Sequence, residues 1–154
     1  MILNRQRAVR VARRPLELFL TRVQRALAIG DADVTICFVS DSEIARMNEA
    51  FRKKKGPTDV LSFPAIPRRA PASLSRSRKQ GPRRKVKSAV FLGDIAISPA
   101  TARRNARKLG RTLASELRVL ILHGVLHLLG YDHETDRGQM DRVETRLRRR
   151  LGIT

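Results

Sequence analysis

Apolar positions along the chain fall into short runs of two periods, and each run is bounded by residues that start or stop an element. Leu16, Phe19, Leu20, Val23 and Leu27 recur at helical spacing, with Pro15 suited to a first turn and Gly30 ending the run. Arg22 and Arg25 on this helix are expected to be solvated. The continuous apolar run Val34 to Val39 reads as a buried strand, and weak alternation over residues 2–11 predicts an earlier strand around Ala8 to Val11. Ser40 and Glu43 form a capping box that opens a helix through about Arg52, with Ile44, Met47 and Phe51 as its apolar stripe. Gly56-Pro57 breaks that helix, and Thr58 to Pro64 returns as a short strand whose terminal proline suits a sheet edge. Ala89 to Ile97 predicts another strand, interrupted by Gly93-Asp94. Ser98 and Pro99 then cap and open a helix that ends at Lys108 to Gly110. Thr112 caps the next helix, which runs to Leu129, and Met140, Val143, Leu147 and Leu151 mark a last amphipathic one. Strands and helices mix without strict alternation, so the fold class is α+β (mixed α/β), one small mixed sheet packed with helices.

Composition changes this picture at one place. From Pro67 to Lys87 there are nine lysines and arginines and no acidic residue, with Pro, Ser and Gly filling much of the rest. Such a segment buries too little apolar surface to order itself, so a mobile basic loop is expected at about 67–88 within one domain spanning 1–154. Its functional reading is an arm that closes on phosphates, and its bland reading is a tolerated insertion. The formal net charge of +19 argues for a polyanionic partner, either nucleic acid or an anionic membrane surface. No stretch approaches the apolar run of a membrane span, and no secretory signal is visible at the N-terminus. The single Cys37 sits in an apolar strand pattern, which fits packing and a reducing cytoplasm. Aromatic residues are scarce, with no Trp and one Tyr, which weighs against a base-stacking surface; RNA binding should lean on phosphates.

Candidate chemistry concentrates in His123-Gly-Val-Leu-His127-Leu-Leu-Gly130-Tyr-Asp-His133, which holds all three histidines of the chain. On a helix, His123 and His127 stand one turn apart, offset by only about 40° with roughly 6 Å of rise. Two imidazoles at that spacing reach one ion from the same face, and a left-handed cap at Gly130 reverses the chain to bring His133 back over them. Three neutral imidazoles with an open fourth position describe a catalytic zinc site. The spacing equals that of the zinc-protease signature H-E-x-x-H-x-x-G-x-x-H, except that Gly124 stands where those enzymes keep their general-base glutamate. Glu116 lies on the same stripe but about 10 Å from His123 along the axis, too far to act as a base, and reads as structural.

Three blocks together resemble the YbeY family of bacterial endoribonucleases. They are Asn48-Glu-Ala-Phe51-Arg52 leading to Pro57-Thr-Asp-Val-Leu-Ser-Phe-Pro64, then Leu92-Gly-Asp-Ile-Ala-Ile-Ser98, then the histidine stretch. The resemblance implies a zinc-binding α+β fold, single-stranded RNA as substrate, small-subunit ribosomal RNA 3′-end processing and a part in ribosome quality control in the cytoplasm. It also implies that His123, His127 and His133 hold one zinc ion and that Arg52 lines the site. The chain departs from the family pattern at Lys55, where an acidic residue is common, in a longer basic loop, and at Arg137 and Gly138. None of these is a ligand position, so the departures bear on substrate contacts.

The chemistry expected of such a site is metal-assisted phosphodiester cleavage, with a zinc-bound water acidified towards about pH 7. Arg52 presents a fork matched to phosphate and would stabilise charge developing on phosphorus. Asp132, beside His133, is a candidate for orienting a histidine or a water. Asp59, Ser62 and Asp94 are candidates for the cleft wall, although turn and strand-end hydrogen bonding is their plainer reading. Either the RNA 2′-hydroxyl or water attacks; the residues leave both open. Two other functions stay open at this point: a zinc peptidase of the same ligand spacing, and a non-enzymatic RNA- or ribosome-binding protein with a structural zinc. No small-molecule cofactor is expected.

Overall fold

The structure, a computed structural model, describes residues 1–65 and 90–153. The basic segment expected to form an arm lies outside the described residues. In chain order the elements are β1 (Ile2–Asn4), α1 (Arg13–Ala26), β2 (Asp33–Phe38), α2 (Asp41–Arg52), β3 (Val60–Pro64), β4 (Phe91–Ile97), α3 (Pro99–Lys108), α4 (Leu113–Leu128) and α5 (Gln139–Leu151). The strands form one mixed sheet in the order β1-β2-β4-β3, with β1, β2 and β4 parallel and β3 antiparallel at the edge. This is the small-sheet α+β architecture that the pattern predicts.

The first strand is not where the alternation put it. Ile2–Asn4 pairs with Ile36–Phe38, while Ala8 to Val11 form a loop. That loop is closed by Gln6, whose Nε2 donates to the Val9 carbonyl and whose Oε1 accepts from the Val9 N–H. A strand of only three residues is too short for periodicity to reveal. Nor is β4 interrupted: it runs through Gly93-Asp94, with a bulge where Asp33 pairs Phe91 and Val34 pairs Gly93.

Helix α4 lies at the centre, with its buried face of Leu117, Leu120, Ile121, Val125 and Leu128 packed in the main core with Phe19, Val23, Ile36, Ile95 and Met140. Two glycines let it come close to the sheet. A Cβ at Gly124 would lie 2.9 Å from two side-chain carbons of Ile95, so the bare helix backbone packs directly on that side chain of β4. At Gly93 the backbone has φ +141°, and a Cβ would lie 2.3 Å from the Phe63 carbonyl oxygen and 2.9 Å from Leu128. Ser62 on β3 adds a tie by donating from Oγ to the Gly124 carbonyl at 3.2 Å.

The predicted caps form. Ser40, Ser98 and Thr112 each accept from the backbone N–H three residues on, opening α2, α3 and α4. Helix α2 ends at Arg52 as expected, capped by Lys53 in the left-handed conformation (φ 57°). Its stripe differs from expectation. Ile44 is buried, but Phe51 is 69% exposed and Asn48 is buried instead, its Nδ2 donating to the Gly56 carbonyl. Arg22 is not merely solvated, since its guanidinium donates to the Leu151 carbonyl at the end of α5.

Asp41, in the first turn of α2, ties two helix starts together. It accepts from Ser98 Oγ (2.5 Å) and Thr101 Oγ1 (2.7 Å) through one oxygen and from Arg104 Nη2 (2.8 Å) through the other. Burial raises its pKa, but these three hydrogen bonds outweigh that and hold it below the ordinary carboxylate value. Its contribution to stability is therefore complete above the unfolded value and lost as pH falls through the lowered folded one. Asp41→Asn is expected to cost about 1–2 kcal/mol at neutral pH and to flatten the acid limb of stability, measured by urea unfolding from pH 7 to 3.

Candidate metal centre

Helix α4 delivers His123 and His127 from its last two turns, and the chain reversal beyond it delivers His133. The reversal is a Schellman motif: Gly130 (φ 95°) donates to the His127 carbonyl and Tyr131 donates to the Leu126 carbonyl. Asp132 then shapes the turn that follows. Its Oδ1 accepts from the Glu134 N–H at 3.0 Å and its Oδ2 from Thr135 Oγ1 at 3.1 Å, so both oxygens serve the turn carrying His133. The Glu134 N–H is the main reason its carboxyl is held below the usual range.

The three imidazoles converge. One ring nitrogen from each lies within 4.8 Å of the others, and the rings are 4.7–5.4 Å apart between centroids. His123 Nε2 and His127 Nε2 are 3.1 Å apart. Nitrogens held at 2.0–2.1 Å around a tetrahedral ion sit about 3.4 Å from one another, so small adjustments bring this donor set to a single cation. His123 and His127 are half-buried and His133 is exposed, which closes one side of the group and leaves the other open to solvent.

Glu144 on α5 fixes the state of His123. Its Oε2 lies 2.9 Å from His123 Nδ1 and the side chain is mostly buried. A carboxylate can only accept there, so Nδ1 carries the proton and donates, and Nε2 is left facing His127. His127 favours its neutral form. Burial lowers its pKa below the ordinary histidine value, the neighbouring His123 and His133 act in the same direction, and together they outweigh Asp132 and the backbone bond to Tyr131.

The histidines form one wall of a cleft with a volume of about 560 Å³. Residues 58–64, from the turn before β3 through the strand, line the same cleft, as do Phe51, Arg52, Tyr131 and Glu134. Asp59 and Ser62 therefore line the cleft, whereas Asp94 does not. Both lining residues are also engaged in the scaffold, Asp59 through the Val60 N–H and Asn105 Nδ2, and Ser62 through Gly124. Arg52 Nη2 donates to Glu134 Oε1 at 2.9 Å, and Lys54 Nζ is 3.9 Å from the same oxygen.

The sequence profile described as Endoribonuclease YbeY matches residues 2–152. The chain belongs to the YbeY family. The protein named Endoribonuclease YbeY of Solibacter usitatus is 43% identical over 149 residues, covering 96% of this chain and 86% of that one. The protein of the same name from Koribacter versatilis is 40% identical over 153 residues, covering 99% and 86%. Among solved structures, the solution structure of TM1509 from Thermotoga maritima superposes with a TM-score of 0.59 at 28% identity, covering 97% of this chain and 87% of its own. The YbeY resemblance carried by three sequence blocks thus extends over almost the whole chain.

Two features of this YbeY-family site escaped sequence reasoning. Glu144 is 21 positions from the histidine it orients, and it sits on the last amphipathic helix among basic residues. Its signal was available: a carboxylate beside the apolar stripe is the usual partner of a ligating histidine. Glu134 had no signal, since its bond to Arg52 spans 82 positions. Glu116 is structural as expected, buried and paired with Arg111 at 2.9 Å. Among the described residues no helix is long and apolar enough to cross a membrane.

Proposed function

We propose that this chain is a zinc-dependent endoribonuclease that cuts single-stranded RNA during ribosomal RNA maturation, at small-subunit 3′ ends and in ribosome quality control, in the cytoplasm. The observation that carries the reading is the convergence of three neutral-capable imidazoles on the wall of an open cleft, in a chain of the YbeY family. His123, His127 and His133 would hold one ion. When bound, the ion supplies Lewis acidity towards a phosphoryl oxygen and lowers the pKa of water. Every other task falls to the protein's own side chains.

Arg52 is the phosphate-recognition group. Its present partner Glu134 is more than half exposed, and an ion pair so exposed is worth about 0–1 kcal/mol, so an RNA phosphate displaces it at little cost. A guanidinium then offers two donors to the non-bridging oxygens and neutralises charge that builds on phosphorus. Glu144 keeps His123 in one tautomer, and Asp132 holds the turn that presents His133. The peptidase reading loses ground at Gly124. A side chain there would run into Ile95, so the helix position used by zinc proteases for their glutamate has no room for one.

The direct test uses purified protein, a single-stranded RNA and its duplex, with and without chelator. Cleavage of the single strand that is lost on chelation and restored by zinc supports the reading, and the product ends identify the attacking group. Arg52→Ala is expected to retain bound metal and lose about 100-fold or more in cleavage. Loss of zinc from that variant would show that Arg52 supports the fold instead. Glu144→Gln removes the charge that orients His123, and zinc affinity is expected to fall about 10- to 100-fold in a chelator competition. Unchanged affinity would mean that the contact is idle.

A further inference from the structure

Phe51 is used by nothing described so far. At 69% it is the most exposed of the large hydrophobic residues among those described, and it is the only one of them that lines the metal cleft. Met1, Leu3, Leu18, Val90, Phe91 and Leu109 are exposed elsewhere, as single apolar surface residues commonly are. Its ring is not loose. It meets Phe63 edge to face, with centroids 5.0 Å apart and planes at 72°. Phe63 in turn packs against the buried group of Val39, Ile44, Leu61 and Ala96. The ring is therefore braced from below and open to the cleft mouth. The next residue in the chain is Arg52, which lines the same cleft.

A braced aromatic ring beside a guanidinium matches the two halves of a nucleotide, a π-face and a phosphate. We infer that Phe51 is a stacking platform for one unpaired nucleobase of the RNA strand whose phosphate Arg52 engages; the inference rests on the ribonuclease reading above. Aromatic residues are scarce in the chain, yet Phe51, Phe63 and Tyr131, half of its five Phe and one Tyr, line this one cleft. Stacking on a single ring requires a base free of its partner strand, so the platform selects single strands by geometry. It also tolerates sequence, because every base has a π-face. An apolar side chain of a protein partner is the competing occupant.

Phe51→Trp supplies the test. The natural sequence contains no Trp, so fluorescence from this variant reports position 51 alone. Chelated protein is titrated with a labelled single-stranded oligoribonucleotide, the same strand with abasic positions, and its duplex, following RNA anisotropy and Trp emission together. Saturable quenching by the intact single strand, with little from the abasic strand or the duplex, is the expected result. Phe51→Ala should weaken single-strand binding about 5- to 150-fold with zinc content unchanged, and Phe51→Trp should restore it. Binding seen by anisotropy without quenching, equal quenching by the abasic strand, or wild-type affinity in Phe51→Ala overturns this inference and leaves the nuclease reading intact. Failure of the wild type, chelated or metal-loaded, to bind any RNA overturns both. Emission that responds to a ribosomal protein but not to RNA assigns the ring to a protein partner and overturns the stacking role.

Discussion

His127→Ala is expected to leave a folded protein that neither retains zinc through gel filtration nor cleaves RNA. Alanine is the best helix former, so α4 persists, and the lost imidazole is only half-buried. One of three ligands disappears, and loss of a ligand exceeds the 10- to 100-fold typical of disturbing a partner behind one. Cleavage should fall on the order of a thousandfold, equivalent to about 4 kcal/mol on the barrier. Elemental analysis and RNA cleavage on the same samples check it, and cleavage equal to wild type would reduce the histidines to a structural role. The same residue predicts a pH effect. Its folded pKa lies below the unfolded value of about 6.5, so the unfolded chain takes up the proton first. Stability of the metal-free protein is therefore complete above that value, falls as pH drops below it, and levels off below the folded pKa. The Ala variant should lack this segment of the pH profile in urea unfolding.

Gly93→Ala is expected to be the most damaging single methyl in the fold. The new Cβ would lie 2.3 Å from a backbone oxygen of β3 and 2.9 Å from Leu128, and φ +141° is closed to residues with a side chain. The nearer obstacle is backbone and cannot swing aside, since β3 is held in register on β4 by the pairing of Pro64 with Gly93 and Phe63 with Asp94. A cost of about 3 kcal/mol or more follows, with a drop in Tm of roughly 6–12 °C for a chain of this size. Gly110→Ala is the contrast, because its Cβ would meet nothing within 4 Å and only its φ of +63° is at stake. Equal melting temperatures for the two variants would show that β3 yields readily. Because Leu128 follows His127, the Gly93 variant should also bind zinc more weakly than its stability loss alone requires.

Where the sequence announced structure, it did so through local chemistry. Ser40, Ser98, Thr112 and Gly130 act within a few residues of themselves, and each forms the cap its type and position predict. The histidine spacing was legible for the same reason, because one helix and one reversal fix all three rings. What was missed depends on distant partners. Three-residue β1 exists because β2 offers it a ladder, and Glu144 matters because α5 packs beside α4. Phe51 fits an apolar stripe by period, yet the edge of the sheet leaves nothing above it but the cleft. Periodicity says which face of a helix is apolar; it does not say that a neighbour is there to cover it.

Helix α5 has two attachments of different kind. Met140, Leu147 and Leu151 root it in the core, and Glu144 reaches from it to His123. Thermodynamic reciprocity then binds the two. Whatever free energy a bound cation would gain from a correctly presented His123, it would return as firmer seating of α5, and a substitution that undocks that helix would weaken the cation's hold by up to that coupling. The grip on any cation held there is in this sense set 21 residues beyond His123, by how well a helix with no ligand of its own stays docked.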